Sequence, residues 1–211
     1  MTTELPPEPR TWWSEVSGGP GAATAYQQRF DDLAARGMDI HGEAAFIEHL
    51  VPAPARVLDA GCGTGRVATQ LTTLGYRCVG VDSDADMIEV AEQRDPSTTW
   101  VRQDLSRLQL RSQAFDLAVL AGNVVALLAP GTLTAAVARV SAHLKPGGLL
   151  VAGFGLDAAH LPTGCPVTSL ADYDRATEVA GLSPIARYST WDRTSWQPDS
   201  GYVVRVHRLV D

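Results

Sequence analysis

The run from Arg56 to Arg66, RVLDAGCGTGR, constrains this chain more than any other. Arg56 to Asp59 reads as a short buried strand. Three glycines then alternate at Gly61, Gly63 and Gly65, and a helical pattern begins at once with Val67, Ala68 and Leu71. A strand running through a glycine turn into a helix is how open α/β sheets build a ligand site at their carboxyl edge. Glycine permits the tight turn and lets bare backbone approach a ligand. The spacing is G-x-G-x-G, whereas a dinucleotide fingerprint is G-x-G-x-x-G with a pyrophosphate at the helix N-terminus. Asp59 precedes the turn, and an acidic residue there suits a ligand with a positively charged end better than it suits phosphates.

A chain of 211 residues is long enough for one full hydrophobic core. No run of about 18 apolar residues occurs, so no transmembrane helix is expected. The start is polar and proline-rich, without the charged-then-apolar pattern of a signal sequence. A cytoplasmic monomer or homodimer is the resulting expectation. The net charge of −7 argues against a nucleic-acid backbone as partner, which calls for a basic face. Lys145 is the only lysine, and Cys62, Cys78 and Cys165 lack metal-ligand spacing.

Residues 1–51 read as an N-terminal tail followed by cap helices, and residues 52–211 as the ligand-binding domain. Met1 to Gly21 is expected to be irregular, with Trp12 and Trp13 clamping it to the domain or helping to close a lid. Tyr26, Phe30, Leu33 and Ala34 share one face of a helix over Ala22–Arg36, and a second helix carries Ile40, Ala44, Ile47 and Leu50. A second strand, Arg77 to Val81, ends in Asp82, about 20 residues past the glycines, where a ribose diol is gripped in such folds. Ser83 is expected to cap the next helix, with Asp86 as its capping-box partner. Further strands are expected over Thr98–Arg102, Phe115–Ala121 and Leu149–Phe154, with a helix from Leu133 to Leu144 stopped by Lys145-Pro146-Gly147-Gly148. Strand and helix alternate, which predicts a parallel sheet with helices on both faces. The rhythm then changes. A helix capped by Ser169 is followed by two strands, around Ile185–Trp191 and Tyr202–Leu209, with no helix between them.

The segments VLDAGCGTGR, VGVDSDADMIEVA, RQDL, FDLAVLAGNVVALL and LKPGGLLVAGFG, in that order, resemble the class I S-adenosylmethionine-dependent methyltransferases. The resemblance covers roughly Arg56 to Asp211. It implies a three-layer α/β, Rossmann-like fold, mostly parallel and seven-stranded, with an antiparallel last strand. It implies S-adenosylmethionine as methyl donor and S-adenosylhomocysteine as product. Asp59, Ala60, Gly61, Gly63, Thr64 and Gly65 are then expected at the methionine end. Asp82 is expected on the ribose hydroxyls with Ser83 and Met87 beside the adenosine. Asp104 and Leu105 are expected at the adenine, and Gly122, Asn123 and Val124 beneath the methionine portion. The asparagine-proline-proline motif of many amino-group enzymes is missing after Asn123. There is neither the lysine-rich set of ribose-methylating enzymes nor an aspartate pair for magnesium, so no metal is expected.

The expected substrate is a small molecule. His41, with Glu43 close by, is the first candidate general base, since histidine titrates in the useful range. His160 is the second. Tyr26 and Arg29, one helical turn apart, are candidates to reach the cofactor carboxylate or a substrate anion. Trp191, Asp192, Arg193 and Trp196 are candidates to wall a substrate pocket. Two other readings compete. One is a non-catalytic protein that keeps the cofactor or a partner site. The other is an NAD-dependent oxidoreductase, disfavoured by the glycine spacing and by Ser141 standing where a tyrosine would precede Lys145 by four.

Overall fold

A computed structural model describes residues 9–17, 19–111 and 114–210. Part of the stretch expected to be irregular, residues 1–8 and 18, lies outside the described residues, as does residue 211. Three helices come first: α1 (Trp12–Val16), α2 (Ala22–Ala35) and α3 (Gly42–Leu50). The alternating body follows, with β1 (Arg56–Ala60), α4 (Arg66–Thr73), β2 (Arg77–Asp82), α5 (Ala85–Arg94), β3 (Thr99–Arg102), β4 (Phe115–Leu120), α6 (Val124–Leu127), α7 (Leu133–Ser141) and β5 (Leu144–Gly155). The chain closes with α8 (Leu170–Val179), β6 (Leu182–Tyr188) and β7 (Tyr202–Leu209).

The seven strands form one sheet in the order β3-β2-β1-β4-β5-β7-β6. Neighbours from β3 to β5 pair in parallel, and β7 pairs antiparallel with both β5 and β6. The order reverses between β1 and β4, which opens a crevice at the carboxyl ends of these strands.

Strand periodicity explains the layers. Leu58, Ala118, Leu120 and Leu150 point to one face, where they meet Val137 and Val140 of α7 and Tyr173 of α8. Their neighbours Val57, Leu117, Val119 and Val151 point to the other, against Phe46 and Ile47 of α3 and Val67 and Leu71 of α4. Both faces are covered, so the central strands read as continuous apolar runs.

Several expected boundaries move. Asp84, not Ser83, caps α5: its carboxylate accepts from the Asp86 and Met87 amides, and an anion is favoured at a helix N-terminus. The helix α7 stops at Ser141, and β5 already begins at Leu144. The Lys-Pro-Gly-Gly stretch, read as a stop, is instead a bulge inside β5. Phe115 pairs with Leu144 and Leu117 with Leu149, so the extra residues loop out of register. The four-residue α6 has no counterpart in the sequence reading. At the sheet edge β6 starts at Leu182 and ends at Tyr188, which leaves Trp191 in the connection to β7. Pro184 sits next to a register shift there, where a missing donor costs little.

Trp100 of β3 packs against Gly65 and Gly80, and a Cβ on either glycine would collide with its ring. Gly80→Ala should therefore destabilise the protein by roughly 1–3 kcal/mol through overpacking. The measurement is the urea midpoint, which should fall with no change in slope.

Candidate functional site

The site grows from the turn after β1. Gly61, Gly63 and Gly65 all adopt left-handed backbone, with φ of 82°, 53° and 83°. The Gly61 and Cys62 amides donate to the Val81 carbonyl at 2.8 and 3.0 Å, which stitches the turn to the end of β2. The Gly63 amide donates to Asp82 Oδ2 at 2.9 Å, and the Asp84 amide to Asp82 Oδ1 at 2.9 Å. Two backbone donors thus fix the Asp82 carboxylate and leave its remaining lone pairs for a ligand. A Cβ on Gly61 would lie 2.5 Å from Val124 Cγ2, so only glycine fits between the turn and α6.

Above this turn is a cavity of about 640 Å³, counted to its open mouth. Gly61, Gly63 and Asp82 form its floor, with Ser83 and Met87 beside them. Asp104 and Leu105 close one end, and Gly122, Val124, Leu127 and Leu128 the other. Asp104 is buried and accepts from the Ser106 amide at 2.8 Å and from the Ser106 hydroxyl. Tyr26 reaches in from α2, and burial pushes its hydroxyl pKa upward. Thr11 and Trp13 also line the cavity. The Trp13 indole Nε1 donates to Asp84 Oδ2 at 2.6 Å, and its ring meets the Tyr26 ring edge-on at 5.8 Å.

Ten of the residues singled out from the sequence therefore meet around one space, and six do not line it. Asp59 is 1% exposed and sits under the turn, accepting from the Ala68 amide at 3.1 Å. Ala60 is core. Thr64 is buried, its hydroxyl without a hydrogen-bond partner. Gly65 faces Trp100. Arg29 is exposed on α2, its guanidinium 5.2 Å from the Phe30 ring centroid. Asn123, left-handed at φ 71°, turns its amide the other way. It accepts from the Gly155 amide at 2.7 Å and donates to the His160 carbonyl at 3.0 Å.

A second cavity, about 1150 Å³ to its open mouth, carries Phe30, Glu43, Arg66, His160, Trp191 and Tyr202 on its walls. Phe30 and Tyr26 are ring neighbours at 5.1 Å, so α2 gives adjacent aromatic side chains to the walls of the two spaces. Arg66 opens α4 directly after the glycine turn. It grips both Glu43 oxygens, at 2.8 and 2.5 Å, donates to the Ile40 carbonyl and lies 4.5 Å over the Phe30 ring. From the sequence Glu43 is expected beside His41, whereas its partner is Arg66, a residue with no expected role although it ends the quoted motif.

The histidines sort by surroundings. His41 precedes α3, with its amide on Asp39 Oδ1 and its Nδ1 buried without a partner, and it lines neither cavity. His143 is held at both ring nitrogens by the Arg139 carbonyl and the Leu110 amide. His207 is buried, and burial lowers its pKa to about 4. Burial raises the Cys62 thiol well above its ordinary value, so it is no nucleophile near neutral pH. Among the described residues no group of three or more His, Cys, Asp or Glu could hold a metal ion. No helix among them is long and apolar enough to cross a membrane.

Residues 57–148 match the model of a methyltransferase domain. The chain is similar to a TehB-like S-adenosylmethionine-dependent methyltransferase of Corynebacterium glutamicum. Identity is 35% and the TM-score 0.81, over 90% of this chain and 98% of that one. It is 30% identical over 120 residues to a dTDP-3-amino-3,6-dideoxy-alpha-D-glucopyranose N,N-dimethyltransferase of Streptomyces fradiae, covering 55% of this chain and 47% of the relative. The chain spans about half the length of the curated relatives it matches. An amino pentose methyltransferase of Micromonospora echinaspora, solved with S-adenosylmethionine bound, shares the fold. Its TM-score is 0.69 at 22% identity, over 88% of this chain and 97% of that one. The chain belongs to the class I S-adenosylmethionine-dependent methyltransferases.

Asp59 gives a testable pH dependence. Burial raises its pKa to about 7, against the opposing pull of the Ala68 amide and Arg66. An unfolded chain releases this proton near pH 4 while the folded protein keeps it, so the group's contribution is full below that pH. The contribution falls by up to about 1.4 kcal/mol per pH unit until pH 7 is passed. Asp59→Asn keeps an acceptor for Ala68. Relative to wild type, its stability should rise steadily from pH 4 to pH 7, as wild type loses the Asp59 contribution, and then level off.

Proposed function

We propose that the first cavity binds S-adenosylmethionine and that the second admits a small-molecule methyl acceptor. The observation that carries this is the pairing of the two spaces across Tyr26 and Phe30, with the fixed Asp82 carboxylate in the first. Asp82 is oriented to accept from the ribose hydroxyls. Met87 and Leu105 offer apolar walls for the adenine, and Asp104 an acceptor at its rim. Gly61 and Gly122 leave bare backbone beside the methionine end, and buried Asp59 braces the turn beneath it through the Ala68 amide. When bound, the cofactor supplies a methyl group on a sulfonium, ready for in-line displacement. The protein's part is to align the acceptor at about 3 Å and to exclude water. Trp13 and Tyr26 are placed to shield the first cavity.

The acceptor that suits the second cavity is a small molecule bearing an amine. Asp39 and Asp192 line it without an ion-pair partner among the described residues, while Arg66 is committed to Glu43. A protonated amine suits that balance, and Phe30, Trp191 and Tyr202 offer flat faces to a ring. The Streptomyces fradiae relative is itself named for methylating an amine.

Calorimetric titration tests the cofactor assignment. S-Adenosylmethionine should bind and NAD should not. Asp82→Ala removes up to two charge-assisted bonds of roughly 1.5–3 kcal/mol each, so it should weaken binding at least about 10-fold. Trp13→Ala should speed cofactor release in stopped flow while leaving the unfolding midpoint nearly unchanged, because α1 holds no core residue. Binding unaffected by either change would overturn the assignment.

A further inference from the structure

His160, in the turn after β5, lines the second cavity together with Arg66. Its Nδ1 lies 2.7 Å from Asp157 Oδ1, three residues earlier. Asp157 also accepts from the Ala159 and His160 amides at 3.0 and 3.1 Å, so its carboxylate is fixed before it meets the ring. The hydrogen bond from His160 holds the Asp157 carboxyl below the usual range. The other ring nitrogen, Nε2, has no hydrogen-bond partner among the described residues.

This pair is built into the fold and is more than a chance surface contact. The His160 carbonyl is held by the Asn123 amide, and Asn123 follows Gly122 and precedes Val124, both on the wall of the first cavity. The backbone of Gly155 packs on the His160 main chain. The backbone of Gly201 packs on the His160 ring and the Asp157 carboxylate together, so that a Cβ at either glycine would collide. Neither glycine has positive φ, so the space they leave and not backbone strain is what calls for them. One asparagine thus ties the histidine's backbone to a segment that lines the first cavity. The His160 side chain itself is 47% exposed, as an open acceptor site requires.

We propose that His160, oriented by Asp157, is the general base that takes the proton from the acceptor's amine in the second cavity. This rests on the proposed function above. Asp157 keeps the Nδ1 proton on the ring, which leaves the Nε2 lone pair free. An ammonium N–H proton passes to Nε2, and the freed nitrogen lone pair forms the new bond to the methyl carbon. The carbon–sulfur bond breaks, and its electrons stay on sulfur. The imidazolium is balanced by Asp157 and returns its proton to water through the open mouth. Glu43 cannot play this part, because both its oxygens are held by Arg66, and His41 lines neither cavity.

The test uses the full chain, S-adenosylmethionine labelled on its methyl group, and the small-molecule fraction of a cell extract as acceptor source. Wild type, His160→Gln, His160→Ala and Asp157→Asn are compared for cofactor affinity by calorimetry and for rate of label transfer. The His160 variants should bind the cofactor as wild type does and lose about 100-fold or more in transfer. Added imidazole should restore part of the rate to His160→Ala, and Asp157→Asn should fall between. Labelled product should be retained on a cation exchanger. Wild-type transfer rates in His160→Gln would overturn the proposal. So would a lost rate that imidazole does not raise, since a merely structural histidine gives that result. Cofactor binding lost in His160→Ala would also overturn it, by making the residue part of the first cavity. Wild-type protein that binds cofactor but transfers no label refutes the proposed function, and this inference with it.

Discussion

The structure depends on how the glycine turn is seated against the end of β2. Two turn amides share the Val81 carbonyl, and a third donates to the Asp82 carboxylate. Those bonds place the bare backbone of Gly61 and Gly63, the start of α4 and the Asp82 carboxylate in a single rigid unit. The neighbouring elements then follow from space. Val124 can approach the turn only because position 61 has no Cβ, and Trp100 can cover it only because positions 65 and 80 have none. A ligand site of this kind needs polar groups held before the ligand arrives. Backbone donors whose partners are already set provide that at little entropic cost.

Charge is divided between the two cavities in a way that fits a cationic donor and an amine. The first is bordered by Asp82 and Asp104, and among the described residues no arginine or lysine lines it. Among the described residues the second has one arginine, neutralised by a bidentate glutamate, and two carboxylates without ion-pair partners. The Arg66–Glu43 pair also joins α3 to the first residue of α4. It therefore connects the helices before the sheet to the glycine turn, and its planar fork makes lysine a poor replacement at 66.

What was legible in the sequence was what is written locally. The strand, glycine turn and helix at Arg56–Leu71, the acidic end of β2, and the change from alternating elements to two consecutive strands all lie in short patterns, and all correspond to elements of the structure. The seven-stranded sheet with an antiparallel last strand was implied by the family resemblance that these segments carry, and the sheet of the structure agrees with it. Side-chain direction and long-range partners were less legible. Asp59 reads as a ligand residue from its place before the turn, yet the strand's alternation and the Ala68 amide draw it underneath. Asn123 looks inward by sequence, but a left-handed backbone turns its amide to Gly155 and His160. The pairing of Arg66 with Glu43 spans 23 residues and has no periodic signature. A four-residue helix such as α6 shows no periodicity to detect. The Lys145–Gly148 stretch carries every local sign of a stop, and only pairing with β4 makes it part of a strand.

The most direct test of the central claim is a crystal structure of the protein with S-adenosylhomocysteine. The account predicts the ribose hydroxyls on Asp82 and the adenine between Met87 and Leu105. It also predicts the sulfur near Gly61 and Gly122, facing past Tyr26 toward the cavity that holds Arg66 and His160. A product bound with its sulfur turned away from that second cavity, or bound elsewhere on the sheet edge, would contradict the two-cavity reading.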